Sequence, residues 1–226
     1  YPSILIAGTN GKGSVARMVE SILLSAGYRV GLYTSPHLVH FRERIRVAGE
    51  EVSEEELLSV LEDIKVSLRL DAEGNVYTPH QEKLSWFEKV TVLAFEVFRR
   101  KKIPLPILEV GLGGRLDATN VVVPLLSAIT SISLDHTQLL GNSVELIAHE
   151  KAGVLRKGRP VIVGKMEEVP LNVLKKEASE RGANFVEVGI PPGDSTDFSY
   201  KKYSHLSLSL LGSYQLKNAA IVIEII

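Results

Sequence analysis

The sequence of 226 residues contains no cysteine, only one tryptophan and two methionines, and almost no net charge. The lack of cysteine excludes disulfides, cysteine-ligated zinc and a cysteine nucleophile, and it fits a reducing, cytoplasmic setting. The 26 basic and 27 acidic side chains leave a net charge of −1, whereas proteins that bind DNA non-specifically are usually basic, so we expect no nucleic-acid partner. No apolar run reaches the roughly 18 residues of a membrane helix, and no signal-peptide pattern precedes the first predicted strand, so we expect no membrane association.

The residues that are present are typical of a globular α/β protein. Apolar runs of buried-strand type alternate with segments of helical spacing, and this order predicts a doubly wound, mostly parallel sheet with helices on both faces. The predicted strands are residues 4–7, 30–34, 103–110, 125–134, 161–163 and 185–188. The predicted helices begin near residue 15 and at Ser53, and they include residues 80–101, 144–155 and 167–181.

Two parts are predicted along the chain. Residues 1–189 carry the alternating strands and helices and form the α/β domain. Residues 190–226 begin with turn-forming residues and continue with leucines at positions 206, 208 and 210 that alternate with serines, which predicts a small antiparallel β segment. Because the chain starts at Tyr1 and ends inside an apolar run, we expect it to be a piece of a longer protein.

A glycine-rich loop after the first predicted strand is the most informative motif, with the sequence Gly8-Thr9-Asn10-Gly11-Lys12-Gly13-Ser14. Between a strand and a helix, such a loop binds phosphate through backbone N–H groups, a lysine and a hydroxyl that serves phosphate or Mg²⁺. The usual G-x-x-x-x-G-K-[ST] pattern is modified here, because Ile6 occupies the first glycine position and Gly13 separates Lys12 from Ser14. The alternative is a glycine-rich turn with a solvent-facing lysine, and the flanking strand and helix favour a phosphate site.

Further polar residues fall at the predicted carboxyl edge of the sheet. Glu109 ends an apolar strand before a glycine-rich loop, where a carboxylate could hold Mg²⁺ near the phosphates. Asp135–His136 ends the next predicted strand and is equally consistent with a structural hydrogen-bonded pair. The arginines of Phe41–Arg46 could contact an anion or form the wet face of a hairpin. By charge pattern alone, Lys151 is a solvated surface lysine.

Taken together and in this order, these motifs resemble those of the folylpolyglutamate synthase/dihydrofolate synthase family of the Mur-ligase type. The stretch Glu109–Asn120 is the most specific of them. The matching segments are Gly8–Ser14, Tyr33–Leu38, Phe41–Ile45, Phe87–Glu88, Glu109–Asn120, Leu134–His136, Glu150–Gly153 and Tyr214–Ala219.

The resemblance implies an ATP-dependent amide ligase with a three-layer ATPase domain of the Mur-ligase central-domain type, followed by a C-terminal domain that this chain lacks. In the implied reaction, ATP phosphorylates a carboxylate of folate or dihydropteroate, and the amine of L-glutamate then displaces phosphate from the acyl phosphate. Such a transfer requires charge neutralisation and alignment. The implied cofactors are ATP and two Mg²⁺ ions, the implied partners are these small molecules, and members of the family are usually monomers.

The resemblance also implies roles for individual positions. Lys12, His136 and Lys151 are the implied catalytic residues. Lys151 matches a lysine that family members carboxylate with CO₂, and the resulting carbamate could hold a second Mg²⁺. The implied ATP-binding residues are Thr9, Asn10, Gly11, Lys12, Gly13, Ser14 and Asn218; the implied metal ligands are Ser35, Glu109, His136 and carboxylated Lys151; and the implied pterin surface is Ser85, Trp86, Phe87, Glu88, Leu116, Asp117 and Ala118.

Two departures from the family pattern concern the pterin surface and leave the ATP machinery unchanged. Lys89 stands where an aromatic residue is common, and Ser85-Trp86 replaces a Thr-Tyr type of pair. The alternatives are a Mur enzyme that adds an amino acid to a cell-wall precursor, and a non-catalytic nucleotide-binding module. A switch GTPase is disfavoured, since the sequence has no Asn-Lys-x-Asp motif.

Overall fold

The computed structural model describes residues 2–68 and 83–226. Within these residues, strands and helices alternate along the chain as predicted. The strands are β1 (Ile4–Ala7), β2 (Val30–Tyr33), β3 (Ile45–Val47), β4 (Glu50–Glu51), β5 (Leu105–Glu109), β6 (Leu126–Ile129), β7 (Pro160–Val163), β8 (Asn184–Glu187), β9 (Phe198–Tyr200) and β10 (Tyr203–Leu206). The α-helices are α1 (Lys12–Ser25), α2 (Glu54–Leu68), α3 (Trp86–Arg100), α4 (Thr137–Leu140), α5 (Val144–Ala152), α6 (Glu168–Arg181) and α7 (Ser213–Ile225), and two 3₁₀ helices cover Phe41–Arg44 and Ala118–Val121.

One sheet of eight strands organises the fold, in the order β4-β3-β2-β5-β1-β6-β7-β8. The strands from β2 to β8 in this order are parallel, and β3 and β4 add an antiparallel hairpin at one edge. In the centre, Ile6 of β1 pairs with Glu109 of β5 and Ala128 of β6. The loops that follow these three strands therefore leave the same edge of the sheet side by side, where open α/β sheets bind ligands.

The core has two layers, one on each face of the sheet. Leu5 and Ala7 of β1 pack in one cluster with apolar residues of α2, α3, α5 and α6. Ile4 and Ile6 pack in the other cluster with residues of α1 and α7. All four residues of β1 are buried, as expected for a parallel strand covered on both faces. The predicted fold class, a doubly wound sheet with a small antiparallel ribbon (β9 and β10), is confirmed.

The second part of the chain, residues 190–226, contains this ribbon and α7. Ile221 of α7 is buried in the cluster that holds Ile4 and Ile6, so the helix packs on the main sheet. The division at residue 189 stays a prediction. None of the helices formed by residues 2–68 and 83–226 has the length and apolar character needed to span a bilayer.

Several element boundaries differ from the prediction. The helix expected from residue 80 begins at Trp86, because Ser85 and Glu88 form a reciprocal capping box, and residues 80–82 lie outside the described residues. The strand expected to reach Leu134 ends at Ile129, since the following residues turn to hydrogen-bond the loop after β1. Asp135–His136 therefore follows a loop rather than a strand.

Two further segments are shorter than expected. The helix predicted to reach Leu155 ends at Ala152, where Gly153 packs so closely against Arg115 that a Cβ atom would overlap its backbone. Leu208 and Leu210 were expected to continue a strand, but β10 ends at Leu206 and the amide of Leu208 donates instead to the Ser195 carbonyl.

Candidate active site

The loop between β1 and α1, residues 8–11, is shaped by glycine. Gly11 is the N-cap of α1 and has φ 88°, a left-handed conformation that other residues rarely adopt. In the described part of the chain no side chain caps α1, so the N–H groups of its first turn stay available to an anion. The helix N-terminus adds partial positive charge, and the arrangement suits a phosphate group.

The loop after β6 braces this phosphate loop. The amide of Thr9 donates to the Ser131 carbonyl at 2.8 Å, and the amide of Asn10 donates to Ser131 Oγ at 3.0 Å. The hydroxyl of Thr130 donates to the Asn10 carbonyl at 2.6 Å. The backbone amides are thus held in position before any ligand arrives.

Lys12 lies over the same loop. Its Nζ donates to the carbonyls of Gly8 and Thr9, both at 3.1 Å. Both acceptors are neutral, so the ammonium charge of Lys12 remains available to neutralise a phosphate.

Asn218 reaches the phosphate loop from α7. Its side chain is buried, and its Nδ2 donates to Gln215 Oε1 at 2.9 Å. Its Oδ1 lies so close to Gly11 that a Cβ atom there would come within 2.5 Å. The structure therefore brings together Asn218 and the loop as the resemblance implied, and it adds Gln215, which the sequence did not indicate.

Glu109 ends β5 beside the phosphate loop and is only 4% exposed. Its Oε2 accepts a hydrogen bond from the Ser35 amide at 3.0 Å. Burial raises the pKa of Glu109, although the Ser35 amide and the nearby charges of Lys12 and Arg44 act in the opposite direction. A carboxylate next to the phosphate loop offers oxygen ligands of the kind that Mg²⁺ prefers.

Lys151 of α5 is also only 4% exposed, so the charge-pattern expectation of a surface lysine is wrong. Its Nζ donates to the Gly8 carbonyl at 2.9 Å. Burial, assisted by the neighbouring charge of Lys12, lowers the pKa of Lys151 to about 8. Lys151 is buried because α5 packs over the edge of the sheet. The polar residues beside it in the sequence, His149 and Glu150, do not indicate this burial.

His136 is the N-cap of the short helix α4, with φ 48°, and its side chain is exposed. Its Nε2 lies 3.7 Å from Asp135 Oδ2. Among the described residues no three or more His, Asp or Glu side chains form a preassembled metal cluster. The Ser35 amide contacts Glu109, but the roles of Ser35, Glu109 and His136 as metal ligands stay predictions.

A cleft of about 880 Å³ opens beside the phosphate loop. The predicted site residues in its lining are Lys12, Ser35, Ser85, Trp86, Phe87, Glu88, Leu116, Asp117, Ala118 and His136. Lys12 of the implied nucleotide set, Ser35 and His136 of the metal set and all of the pterin set thus line one space, whereas the other implied ATP-binding residues do not line it. Glu109 and Lys151 are buried next to the phosphate loop.

The predicted pterin residues divide into two kinds. Glu88 and Asp117 are already used within the protein: Glu88 accepts from the Ser85 amide at 2.6 Å, and Asp117 accepts from the amides of Leu112 and Thr119 at 2.9 and 3.0 Å. The side chains of Trp86 and Leu116 are exposed to the cleft. Glu88 and Asp117 therefore shape the walls of the cleft, and Trp86 and Leu116 are available to contact a ligand.

Arg44 lines the cleft, although the sequence did not single it out among the arginines of Phe41–Arg46. It ends the 3₁₀ helix Phe41–Arg44, is buried, and lines the cleft. Alternation within a hairpin predicts which side of a strand a residue occupies, but it does not reveal a cleft formed by distant loops.

A mononucleotide-type sheet edge with a braced phosphate loop, a buried acid and a buried lysine is the arrangement expected of a nucleotide-dependent ligase. The chain belongs to the Mur ligase middle domain family, which it matches over residues 6–226. The family resemblance of its motifs is thereby confirmed.

Individual relatives within the Mur ligase family show which of its members this chain is similar to. The chain is 38% identical over 231 residues to a dihydrofolate synthase/folylpolyglutamate synthase of Bacillus subtilis, covering 96% of this chain and 53% of the relative. The structure of E. coli FolC in complex with DHPP and ADP superposes with a TM-score of 0.84 and 39% identity over 99% of this chain and 52% of that one. A crystal structure of a bifunctional folylpolyglutamate synthase/dihydrofolate synthase with Mn, AMPPNP and L-glutamate bound superposes with a TM-score of 0.83 and 38% identity, over 99% and 52%. The chain thus spans about half the length of these relatives.

Proposed function

We propose that this chain is the nucleotide-binding part of a ligase that uses ATP to join L-glutamate to a carboxylate of dihydropteroate or folate. The observation that carries the proposal is the juxtaposition of the phosphate loop and Lys12 with buried Glu109 and Lys151 at one sheet edge. The names of the relatives support this activity, and the ligands in their structures, an adenine nucleotide, DHPP and glutamate, are of the corresponding kinds.

The proposed ligation proceeds in two steps. A carboxylate oxygen of the acceptor attacks the γ-phosphorus of ATP, which gives an acyl phosphate and ADP. The amine of glutamate then attacks the acyl carbon, loses a proton and displaces inorganic phosphate, which leaves an amide. Lys12, the amides of Gly11–Ser14 and Asn218 bind and orient the nucleotide, since phosphoryl transfer depends on alignment and neutralisation of charge. Thr9 and Asn10, whose amides donate to Ser131, fix the shape of the loop.

The residues present fit a divalent cation. The Ser35 hydroxyl, the Glu109 carboxylate and the His136 imidazole offer oxygen and nitrogen donors, and a bound Mg²⁺ would neutralise phosphate charge. A lysine ammonium cannot ligate a cation, so Lys151 fits only after its amine is carboxylated. Its pKa, lowered to about 8, increases the fraction of neutral amine at a given pH, and the neutral amine is the form that reacts with CO₂. We propose two Mg²⁺ ions, the second held by this carbamate.

The acceptor occupies the cleft, where Trp86 and Leu116 offer apolar surface for a pteridine ring. Ser85, Phe87, Glu88, Asp117 and Ala118 complete the walls of this part of the cleft.

The absence of cysteine is compatible with a reducing compartment, and we propose that the enzyme is cytoplasmic and monomeric.

The test is glutamate-dependent release of ADP by the full-length gene product, with dihydropteroate and tetrahydrofolate offered separately. Release with dihydropteroate identifies a dihydrofolate synthase, release with tetrahydrofolate identifies a folylpolyglutamate synthase, and release with both identifies a bifunctional enzyme. The Lys12→Ala protein serves as the inactive control. Nucleotide binding without ADP release from either acceptor would refute the proposal and favour a different Mur-type acceptor or a non-catalytic module.

A further inference from the structure

Arg44 is a buried cation whose outer nitrogens face the cleft. The side chain is only 6% exposed, and its Nε donates to His37 Nδ1 at 2.8 Å. Among the described residues, its side chain makes this hydrogen bond, lies over the ring of Trp86 and interacts electrostatically with buried Glu109, and no buried side-chain nitrogen lacks a hydrogen-bond partner. Nη1 and Nη2 are therefore reached from the cleft that Arg44 lines.

Aromatic side chains hold the guanidinium in place. Its central carbon lies 4.7 Å from the centroid of the Trp86 ring. Phe41 packs edge-on against both Trp86 and His37, with centroid distances of 6.2 Å in each case. Because His37 Nδ1 accepts the bond from Arg44, the neutral imidazole carries its proton on Nε2. A guanidinium fixed in this way loses little freedom when it binds a ligand.

The acids that line the same cleft do not pair with Arg44, although buried Glu109 beside the cleft offsets part of its charge. Glu88 and Asp117 accept backbone hydrogen bonds within their own turns. Glu150 pairs with Arg115 at 2.8 Å. The cleft therefore presents a planar cation with free donors beside the exposed Trp86 ring, which is 55% exposed.

We propose that Arg44 binds the carboxylate of the acceptor substrate through its two outer nitrogens, while the ring system of the acceptor lies against Trp86. The inference rests on the proposed function and names the residue that recognises the acceptor. A guanidinium fork matches the two oxygens of a carboxylate, whereas the nucleotide phosphates already have the loop amides and Lys12. An aromatic carboxylic acid is the ligand that a flat ring and a neighbouring guanidinium would select.

The test compares two ligands in equilibrium binding to the full-length protein: dihydropteroate, and the same pteridine with hydrogen in place of the carboxylate. In Arg44→Gln, we expect the affinity for dihydropteroate to fall about 10- to 100-fold, the size typical of a charge-assisted bidentate contact. The affinity for the carboxylate-free compound should stay within about twofold. The matched control is Arg42→Gln, which removes the same charge from the same 3₁₀ helix but from a separate groove between α2 and α3.

Equal losses for the two ligands would show that Arg44 only shapes the cleft, and this would overturn the inference. An unchanged affinity for dihydropteroate, or a loss confined to ATP, would overturn it as well. If thermal unfolding shows that Arg44→Gln does not fold, Arg44→Lys keeps the charge without the fork and should reduce the preference for the carboxylate several-fold; an unchanged preference would then refute the assignment. Failure of the unaltered protein to bind acceptor or to release ADP would refute the proposed function itself.

Discussion

Lys151 is expected to reduce the stability of the folded chain at neutral pH. Burial and the charge of Lys12 lower its pKa from 10.5 to about 8. At about 1.4 kcal/mol per pH unit, this gap corresponds to about 3 kcal/mol. Below pH 8 the amine is charged in both the folded and unfolded states, so the cost is complete; it disappears as the pH rises toward 10.5, because the folded state releases the proton first.

The substitution Lys151→Met tests this cost, because it keeps a long unbranched side chain and removes the charge. The Gly8 carbonyl loses one donor but keeps Lys12 Nζ at 3.1 Å. The lost hydrogen bond is worth about 1 kcal/mol. We therefore expect Lys151→Met to raise the free energy of unfolding by about 2 kcal/mol at pH 7.

The assay is urea unfolding of both proteins at pH 7 and pH 9.5, followed by circular dichroism in buffer free of CO₂. Most of the advantage of Lys151→Met should disappear at pH 9.5, and the comparison cancels the titration of groups common to both proteins. Lys176→Met, at an exposed position on α6, is the control and should change stability by less than about 0.5 kcal/mol. Equal stability at pH 7, or an advantage that does not change with pH, would refute the reasoning.

Three further substitutions test the site and the fold. Lys12→Ala should weaken ATP binding in calorimetric titration by at least about tenfold, because a phosphate loses its charged partner; an unchanged affinity would contradict the phosphate-loop assignment. Glu109→Gln keeps an acceptor for the Ser35 amide but removes the charge, so turnover of the full-length enzyme should require more Mg²⁺, and superimposable Mg²⁺ titrations would argue against a metal role. Ser85→Ala removes the cap of α3 and should lower the free energy of unfolding in urea by about 1 kcal/mol; no loss would mean that the cap contributes nothing.

The sequence best predicted the structural features that depend on residues close together along the chain. The phosphate loop was recognisable because its glycines, Lys12 and the flanking strand and helix lie within some twenty residues. The start of α3 was predicted too early because no glycine or proline separates residue 80 from Trp86 in the sequence, whereas the capping box of Ser85 and Glu88 decides the boundary. The end of β6 was missed because Thr130 and its neighbours satisfy their hydrogen bonds with a loop more than a hundred residues away.

The environment of single side chains could not be predicted in the same way. Lys151 is flanked by charged residues in the sequence, yet the crossover that places α5 over the sheet edge buries it against Gly8. The family resemblance identified Lys151 and Asn218, but neither periodicity nor resemblance distinguished Arg44 from the arginines beside it. Burial at these positions depends on segments that the topology brings together.

The Gly8 carbonyl accepts hydrogen bonds from both Lys12 and Lys151. The two lysines are therefore close enough for anion binding at Lys12 to be coupled to protonation of Lys151. An anion bound at Lys12 offsets the charge that repels the Lys151 ammonium, so anion binding and protonation of Lys151 promote each other by the same free energy. Metal-free sulfate, whose own charge does not change near this pH, should therefore bind more tightly as the pH falls through 8. A stable carbamate on Lys151 has no ammonium to titrate, so it would remove this dependence. The presence or absence of the pH effect on anion affinity therefore reports the chemical state of a residue that need not touch the anion.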